Sequence, residues 1–432
     1  MTIYALSTVP GKSGVAVIRV SGQLSKVAIK KLTKKTLKPR EATLCKLYDH
    51  KDSVFDQAVV VFFEDKKSFT GEPVVEFQTH GSLSIISKLL DELSMIDGLR
   101  LAEPGEFTKR AYLGGKINLV QAEGLADLID SETEKQREQA LMHYGNLLSD
   151  KYFSWSEEIK TCLALIEASI DFSDEDIPKN LLIEIRKISS KIKEEINEFL
   201  KTEKNADIVK EGIKVVIIGR PNSGKSSLIN YLSRKKIAIV SKKPGTTRDI
   251  LRSQENFFGV PVTLIDTAGI RKSNDEIEKE GVKLAEKIQK TAHIKIYLGS
   301  NNDKNPFSGI HIDLTDNDLL VINKTDLKKQ HNIKPNISIS LKNEKKLNIL
   351  EKKLEKKIKS IVSTNTGAFL NKKRQRNHLI NAENSLNMVT GSDLEIMSIH
   401  IRDALKSIDS ITKETDNEEV LGIIFGKFCI GK

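Results

Sequence analysis

Apolar positions along this chain change their period three times, and each change predicts a change of fold. Up to about residue 116, short β-branched runs recur between glycines: Val15-Ala16-Val17-Ile18-Arg19-Val20, Ala58 to Phe63, and Val74-Val75-Glu76-Phe77. That is the pattern of strands and turns. From Leu119 the pattern turns helical. After Pro178, apolar residues fall at Ile185, Ile188, Ile192, Ile196 and Phe199. Steps of three and four place them on one stripe, with lysine and glutamate opposite. At Lys214 the period changes again: Val215 to Ile218 is a continuous apolar strand ending in glycine, and it opens an alternating strand and helix region to about Ile361. A lysine-rich helix, Leu347 to Ile361, closes that region. Beyond it Leu394, Met397, Ile401, Leu405 and Ile408 again predict a helix.

These changes predict a multidomain chain. Residues 1–116 form an α+β domain, 117–210 the first segment of an all-α helical domain, 211–361 an inserted α/β domain, and 362–432 the second helical segment. A length of 432 residues accommodates this, at roughly 100–200 residues per domain. With 39% hydrophobic and 30% charged residues, composition fits a soluble globular protein rather than a disordered one. The formal charge of +10 suits an anionic partner such as RNA, but lysine-rich solvated faces would produce it equally well. The longest apolar runs are far shorter than the ~20 residues of a membrane span, and the first residues lack the pattern of a secretory signal. A cytoplasmic location is expected. Three scattered cysteines fit a reducing compartment and exclude a four-cysteine zinc site. No His-Glu-x-x-His pair is present.

The chemistry concentrates in the α/β region. Gly219-Arg220-Pro221-Asn222-Ser223-Gly224-Lys225-Ser226 follows the apolar strand directly, so its N–H groups can curl around phosphate oxygens at a helix N-terminus. Lys225 can reach the β- and γ-phosphates and Ser226 can ligate Mg²⁺. Asp266-Thr267-Ala268-Gly269 ends a second strand, with a carboxylate for Mg²⁺ through water and a glycine N–H for the γ-phosphate. Asn323-Lys324-Thr325-Asp326 ends a third. Asp326 can accept from guanine N1–H and its N2 amino group; adenine would leave it buried and unpaired. Ser340-Leu341-Lys342 is the expected last base-contacting loop. The loop from Ser241 to Asp249 supplies the switch threonines, with Thr247 as second Mg²⁺ ligand. The expected GTP contacts are Asn222 to Ser227 (Ser223, Gly224, Lys225, Ser226 and Ser227 among them), Ser241, Gly245, Thr246, Thr247, Asp266 to Gly269, Asn323, Lys324, Asp326 and Ser340. Ile270, following Asp-Thr-Ala-Gly, cannot orient an attacking water. Asn222 either binds a monovalent cation beside the phosphates or makes a loop-stabilising hydrogen bond.

Gly245-Thr246-Thr247-Arg248-Asp249 together with Asp266 to Arg271 resembles the MnmE (TrmE) family of tRNA-modification GTPases. Phe69-Thr70-Gly71-Glu72, Glu76 to Gly81, Glu103 to Thr108, Gln121-Ala122-Glu123 and the ending Cys429-Ile430-Gly431-Lys432 are similar to that family's terminal signatures. The resemblance implies a homodimer formed through an N-terminal domain that binds 5-formyl- or methylene-tetrahydrofolate. Arg19, Glu76, Lys116 and Lys432 are its folate contacts, although Arg19 and Glu76 also read as plain cross-strand ion partners. The resemblance further implies a K⁺ site from Asn222, Ser241, Lys243 and Thr246, and a catalytic, water-positioning Glu278, which otherwise reads as a solvated helix residue. The resemblance implies that Cys429 acts beside the folate, as a nucleophile or without covalent chemistry; by itself it reads equally as a buried packing residue. The implied partner is an FAD-containing MnmG (GidA)-type protein in a heterotetramer. With it the chain would add an aminomethyl or carboxymethylaminomethyl group to C5 of the tRNA wobble uridine.

The chain departs from the family pattern in places: Lys242 and Lys243 make the switch loop more basic than expected. Lys295 interrupts an apolar strand that usually ends in aspartate, and an asparagine-rich stretch, Asn301 to Asn305, follows. Two rival readings remain at this level. One is a ribosome-assembly GTPase, which would often carry a KH module with a Gly-x-x-Gly loop; the glycines after Ile361 lack that spacing. The other is a folate-dependent aminomethyltransferase-like enzyme with a merely regulatory GTPase.

Overall fold

The computed structural model describes residues 1–171, 181–201, 208, 212–234, 252–257, 259–266, 291–362, 372–390, 393–413, 418–426 and 428–431. The chain divides into two compact units, one of Met1–Ile129, Leu141–Ser190 and His378–Lys432, the other of Asp130–Ala140 and Lys191–Asn377.

The first unit is built on a six-stranded sheet: β1 (Thr2–Leu6), β2 (Ser13–Ser21), β3 (Thr43–Tyr48), β4 (Val54–Phe63), β5 (Val74–Gly81) and β6 (Leu99–Leu101), in the order β3-β4-β5-β2-β1-β6. All neighbours are antiparallel except β1 and β6. Alternation along β4 buries Asp56, Ala58, Val60 and Phe62 on one face, as a sheet covered by helices requires. Two helices supply that cover: α1 (Ser25–Thr33) inserts Ala28, Ile29 and Leu32, and α2 (Leu83–Ser94) inserts Ile86, Leu89 and Leu93. On the other face Ile3, Ala5 and Ala102 meet Phe107 of α3 (Glu106–Leu113).

Helices α4 (Leu119–Asp130), α5 (Glu134–Tyr144), α6 (Asn146–Asp171) and α7 (Leu181–Leu200) follow, the last matching the stripe predicted after Pro178, with Ile185, Ile192 and Ile196 buried. Late in the chain come α10 (Lys373–Asn387), α11 (Leu394–Thr412) and α12 (Glu418–Phe425). The α6 helix packs on α11 although their sequences lie far apart. Ser156 Oγ donates to Asp409 Oδ1 at 2.6 Å, and Arg402 pairs with Glu167 at 2.6 Å. One helical layer is thus assembled from two chain segments.

In the second unit, β7 (Ile213–Ile218), β8 (Arg252–Phe257), β9 (Val260–Asp266), β10 (Ile294–Ser300), β11 (Leu319–Asn323) and β12 (Ile337–Ser338) order as β12-β11-β10-β7-β9-β8, parallel except at β8. Successive residues of β7 go to opposite faces. Val215 and Ile217 join α8 (Lys225–Arg234) and α9 (Leu347–Val362), whereas Val216 and Ile218 pack with Tyr297 and Phe307. Burial on both faces explains why this strand has no polar alternation. The β10 strand runs unbroken through Lys295. Its N–H donates to Asp318 Oδ1 at 2.7 Å, and its ammonium lies 3.9 Å from Asp318 Oδ2, so the charge at this position is answered by a buried carboxylate. Among the described residues no helix is long and apolar enough to cross a membrane.

Candidate nucleotide site and the C-terminal tail

Three parallel strands deliver their carboxyl ends to one place, as open α/β sheets do around a ligand. The loop after β7 turns into α8 through Asn222 at φ +63° and Gly224 at φ +101°. A Cβ on Gly224 would lie 2.5 Å from Asn323 Nδ2, and one on Gly219 would lie 2.4 Å from the Leu298 carbonyl oxygen. Only glycine lets this loop lie so close to its neighbours. Lys225 is buried and donates to the carbonyls of Gly219 and Arg220 at 2.9 and 3.0 Å. Those bonds hold the ammonium in the concavity of the loop. Ser223 Oγ is buried and without a hydrogen-bond partner among the described residues. Asn222 is exposed.

Ser226 Oγ donates to Asp266 Oδ2 at 2.7 Å, bringing the two expected Mg²⁺-site groups together at the ends of β7 and β9. The oxygens fit a hard cation completed by phosphate and water. No cluster of three or more His, Cys, Asp or Glu side chains able to hold a metal occurs among the described residues.

At the end of β11, Asn323 ties the loops to one another. Its Nδ2 donates to the Ser223 carbonyl at 2.9 Å and its Oδ1 accepts from Leu341 N at 3.1 Å. Lys324 sits at φ +61° and turns the chain so that Asp326 accepts from Ser340 Oγ at 2.5 Å. That hydroxyl first, then the Asp326 N–H, Lys342 and Lys324, holds the Asp326 carboxyl below its ordinary range. The group is therefore an ionised acceptor, as guanine recognition requires.

Sequence reasoning gave no role to the brace behind these loops. Asn301 is buried: its N–H donates to Asn323 O at 2.8 Å, its Nδ2 to Leu327 O at 2.8 Å, and its carbonyl accepts from Gln330 N at 2.9 Å. Two residues on, Asp303 pairs with Arg220 of the phosphate loop at 2.7 Å. The asparagine-rich stretch thus holds both the base loop and the phosphate loop. Its unusual composition was the available signal.

Ser241, Lys243, Gly245, Thr246, Thr247, Thr267, Ala268, Gly269, Glu278 and Lys432 lie outside the described residues.

In the first unit Arg19 and Glu76 are direct cross-strand neighbours, with Arg19 Nε and Nη2 at 2.9 and 2.7 Å from Glu76 Oε1. The guanidinium also lies over the Phe107 ring, 5.7 Å from its centroid. Lys116 donates to the Lys66 carbonyl. The tail is seated on the N-terminal segment: Ser7 Oγ donates to Gly431 O at 3.0 Å, Pro104 and Ile430 form a β-bridge, and Gly431 at φ +94° leaves no room for a Cβ beside Leu6 O. Cys429 is exposed rather than packed, whereas Cys45 and Cys162 are buried and burial pushes the Cys162 thiol up to about 11. Among these three thiols, Cys429 is the one open to reaction. The terminal signatures also contain structural work. Glu106 receives Arg100 at 2.6 and 2.8 Å, Arg110 at 2.9 Å and the Glu103 N–H at 2.9 Å, while Arg110 reaches Glu72 at 2.9 Å.

The family model described as "GTP-binding protein TrmE N-terminus" matches residues 2–116, and that described as "MnmE helical domain" matches residues 119–429. A curated relative named tRNA modification GTPase MnmE, from Rickettsia bellii, is 41% identical over 445 residues, with 100% of each chain covered. Another of the same name, from Pelagibacter ubique, is 42% identical over 452 residues, again with 100% of each covered. Among solved structures, the G domain of the T. maritima FeoB iron transporter aligns at 22% identity with a TM-score of 0.25, over 34% of this chain and 98% of that one, an overlap too partial to bear on the fold. With both family models and full-length relatives in agreement, the chain belongs to the MnmE (TrmE) family of tRNA modification GTPases.

Proposed function

We propose that this chain hydrolyses GTP and, with an FAD-containing MnmG (GidA)-type partner, adds an aminomethyl or carboxymethylaminomethyl group to C5 of the wobble uridine in tRNA. A tetrahydrofolate derivative would supply the one-carbon unit. The observation that carries the reading is the convergence of Lys225, the Ser226–Asp266 pair and the Ser340-held Asp326 carboxylate at the carboxyl ends of β7, β9 and β11. An acidic base acceptor beside a phosphate loop selects guanine nucleotide. Membership of a family whose relatives are named for tRNA modification supports the rest.

In this reading Lys225 and the loop N–H groups bind the β- and γ-phosphates, while Ser226 and Thr247 hold Mg²⁺. Asn222, Ser241, Lys243 and Thr246 hold K⁺, and Glu278 positions the attacking water. The cations supply positive charge against the developing negative charge of phosphoryl transfer. Arg19, Glu76, Lys116 and Lys432 bind folate in the 1–116 domain, with Cys429 beside it; the G domain spans 211–361 between helical segments 117–210 and 362–432. The chain acts as a homodimer in the cytoplasm. GTP hydrolysis should run at least several-fold faster in K⁺ than in Na⁺ at equal ionic strength, and equal rates would reject the cation site. Nucleoside analysis of tRNA from cells lacking the gene should show loss of the wobble-uridine side chain; an unchanged profile would reject the modification reading.

A further inference from the structure

The positive charge of this chain is local. Residues 24–47 carry eight lysine and arginine side chains against one acidic residue, Glu41, so this stretch holds +7 of the formal +10 and the other 408 residues share +3. The stretch comprises α1, the following turn and most of β3, which is the edge strand of the N-terminal sheet. Lys26, Lys30, Lys31, Lys35, Lys38 and Lys46 are all exposed. Lys34 pairs with Asp52 at 2.7 Å; no other cation of the stretch has a carboxylate partner among the described residues.

Local stability accounts for only part of this arrangement. Cations are favoured at a helix C-terminus, which covers Lys30 and Lys31, and an edge strand gains protection from a lysine such as Lys46. Lys26, however, stands in the first turn of α1, where the macrodipole disfavours a cation and no acidic residue offsets it; its ammonium lies 5.5 Å from the centroid of the Phe62 ring, a contact that answers only part of that cost. Lys26 and Lys30 are also four apart on α1, and like charges at that spacing destabilise a helical surface. A partner that supplies negative charge would repay these costs. The apolar face of α1 is already committed: Ala28, Ile29 and Leu32 are buried against the sheet, which leaves no insertion face for a lipid surface. What remains outward is a solvated cationic ridge, suited to a row of phosphates.

We infer that the ridge formed by α1 and the β3 edge docks the phosphate backbone of RNA, specifically the tRNA substrate; the choice of tRNA rests on the proposed function. Contacts of this kind position the nucleic acid without reading its sequence, and they make affinity depend steeply on salt.

The test replaces Lys26, Lys30, Lys31 and Lys38 by Gln in the full-length protein. A control replaces four exposed helical lysines elsewhere, Lys187, Lys352, Lys356 and Lys406, by Gln, giving the same change in net charge. Affinity for unmodified tRNA is measured by fluorescence anisotropy from low to moderate salt, alongside GTP hydrolysis and thermal midpoint. The ridge variant should lose at least tenfold in affinity, and its salt slope should fall by roughly one per contacting lysine. The control should lose less than threefold, both should keep wild-type hydrolysis, and neither should melt below the wild type. Equal losses in the two variants would overturn the ridge in favour of bulk charge. Unchanged tRNA binding by the ridge variant, with loss of co-sedimentation on phosphatidylserine vesicles, would overturn it in favour of a membrane. Either failure leaves the modification reading standing, since tRNA nucleoside analysis tests that separately.

Discussion

Replacing Asn301 by Ala tests whether guanine affinity depends on a side chain that touches no nucleotide motif residue through its own amide. The Nδ2 group donates to the Leu327 carbonyl at 2.8 Å, one residue past Asp326, and the site is buried. Removing it leaves that part-buried carbonyl without its partner, against about 1–3 kcal/mol for a fully buried acceptor. Water entering the space vacated by the amide would bring the cost to the lower half of that range. The backbone bonds of Asn301 to Asn323 and Gln330 survive in the Ala variant, so the sheet should persist while the turn carrying Asp326 loosens. If the loosened turn must be re-ordered on binding, 1–2 kcal/mol raises the GDP dissociation constant about 5- to 30-fold. Titration calorimetry with GDP and IDP provides the readout. Losing the guanine N2 contact should cost the variant less than it costs the wild type, because its carboxylate is less well placed. Asn301→Asp, which fills the space but has no N–H to donate, should bind no better than the Ala variant. A GDP affinity within twofold of wild type, or full rescue by Asp, would refute the reasoning.

Other changes follow from the same geometry. Asp326→Asn should weaken GDP binding by at least a hundredfold and improve xanthine nucleotide binding, because an amide offers a donor where xanthine carries a carbonyl; competition against a fluorescent GDP reports both. Gly224→Ala should abolish nucleotide binding, since its Cβ would sit 2.5 Å from Asn323 Nδ2 at φ +101°, and a folded protein that still bound GDP normally would contradict the close approach. Burial pushes the Glu106 carboxyl up, but Arg100, the Glu103 N–H and Arg110 together hold it below its ordinary value of 4.5. Its stabilisation is therefore present above that value and lost as pH falls through the depressed one. Glu106→Gln should cost about 2–3 kcal/mol at neutral pH, less than the 3–5 typical of a broken fully buried pair, and the gap from wild type in urea melts should close in acid.

The sequence made legible what depends on neighbours along the chain. Continuous apolar residues from Val215 mark a strand buried on both faces, and three- and four-residue steps mark α7 and α11, because each reflects the local geometry of one element. Contacts between distant segments were not legible. Lys295 reads as an interruption until Asp318, on the far side of a loop, is seen beneath it. Asn301 and Asp303 look like compositional drift until the fold sets them behind Asn323 and Arg220. At Arg19 and Glu76 the structure shows the ion pair, and the proposed ligand role is compatible with it. The hydrogen bond from Arg19 Nε and the 2.7 Å approach of Nη2 both go to Glu76 Oε1. Oε2 and Nη1 have no partner among the described residues, so the pair fixes both side chains and still presents one acceptor and one donor. A polar ligand with an N–H beside a carboxylate can bind there without breaking the pair. If folate binds there, as proposed, the cross-strand register that makes the ion pair would also preorganise its site.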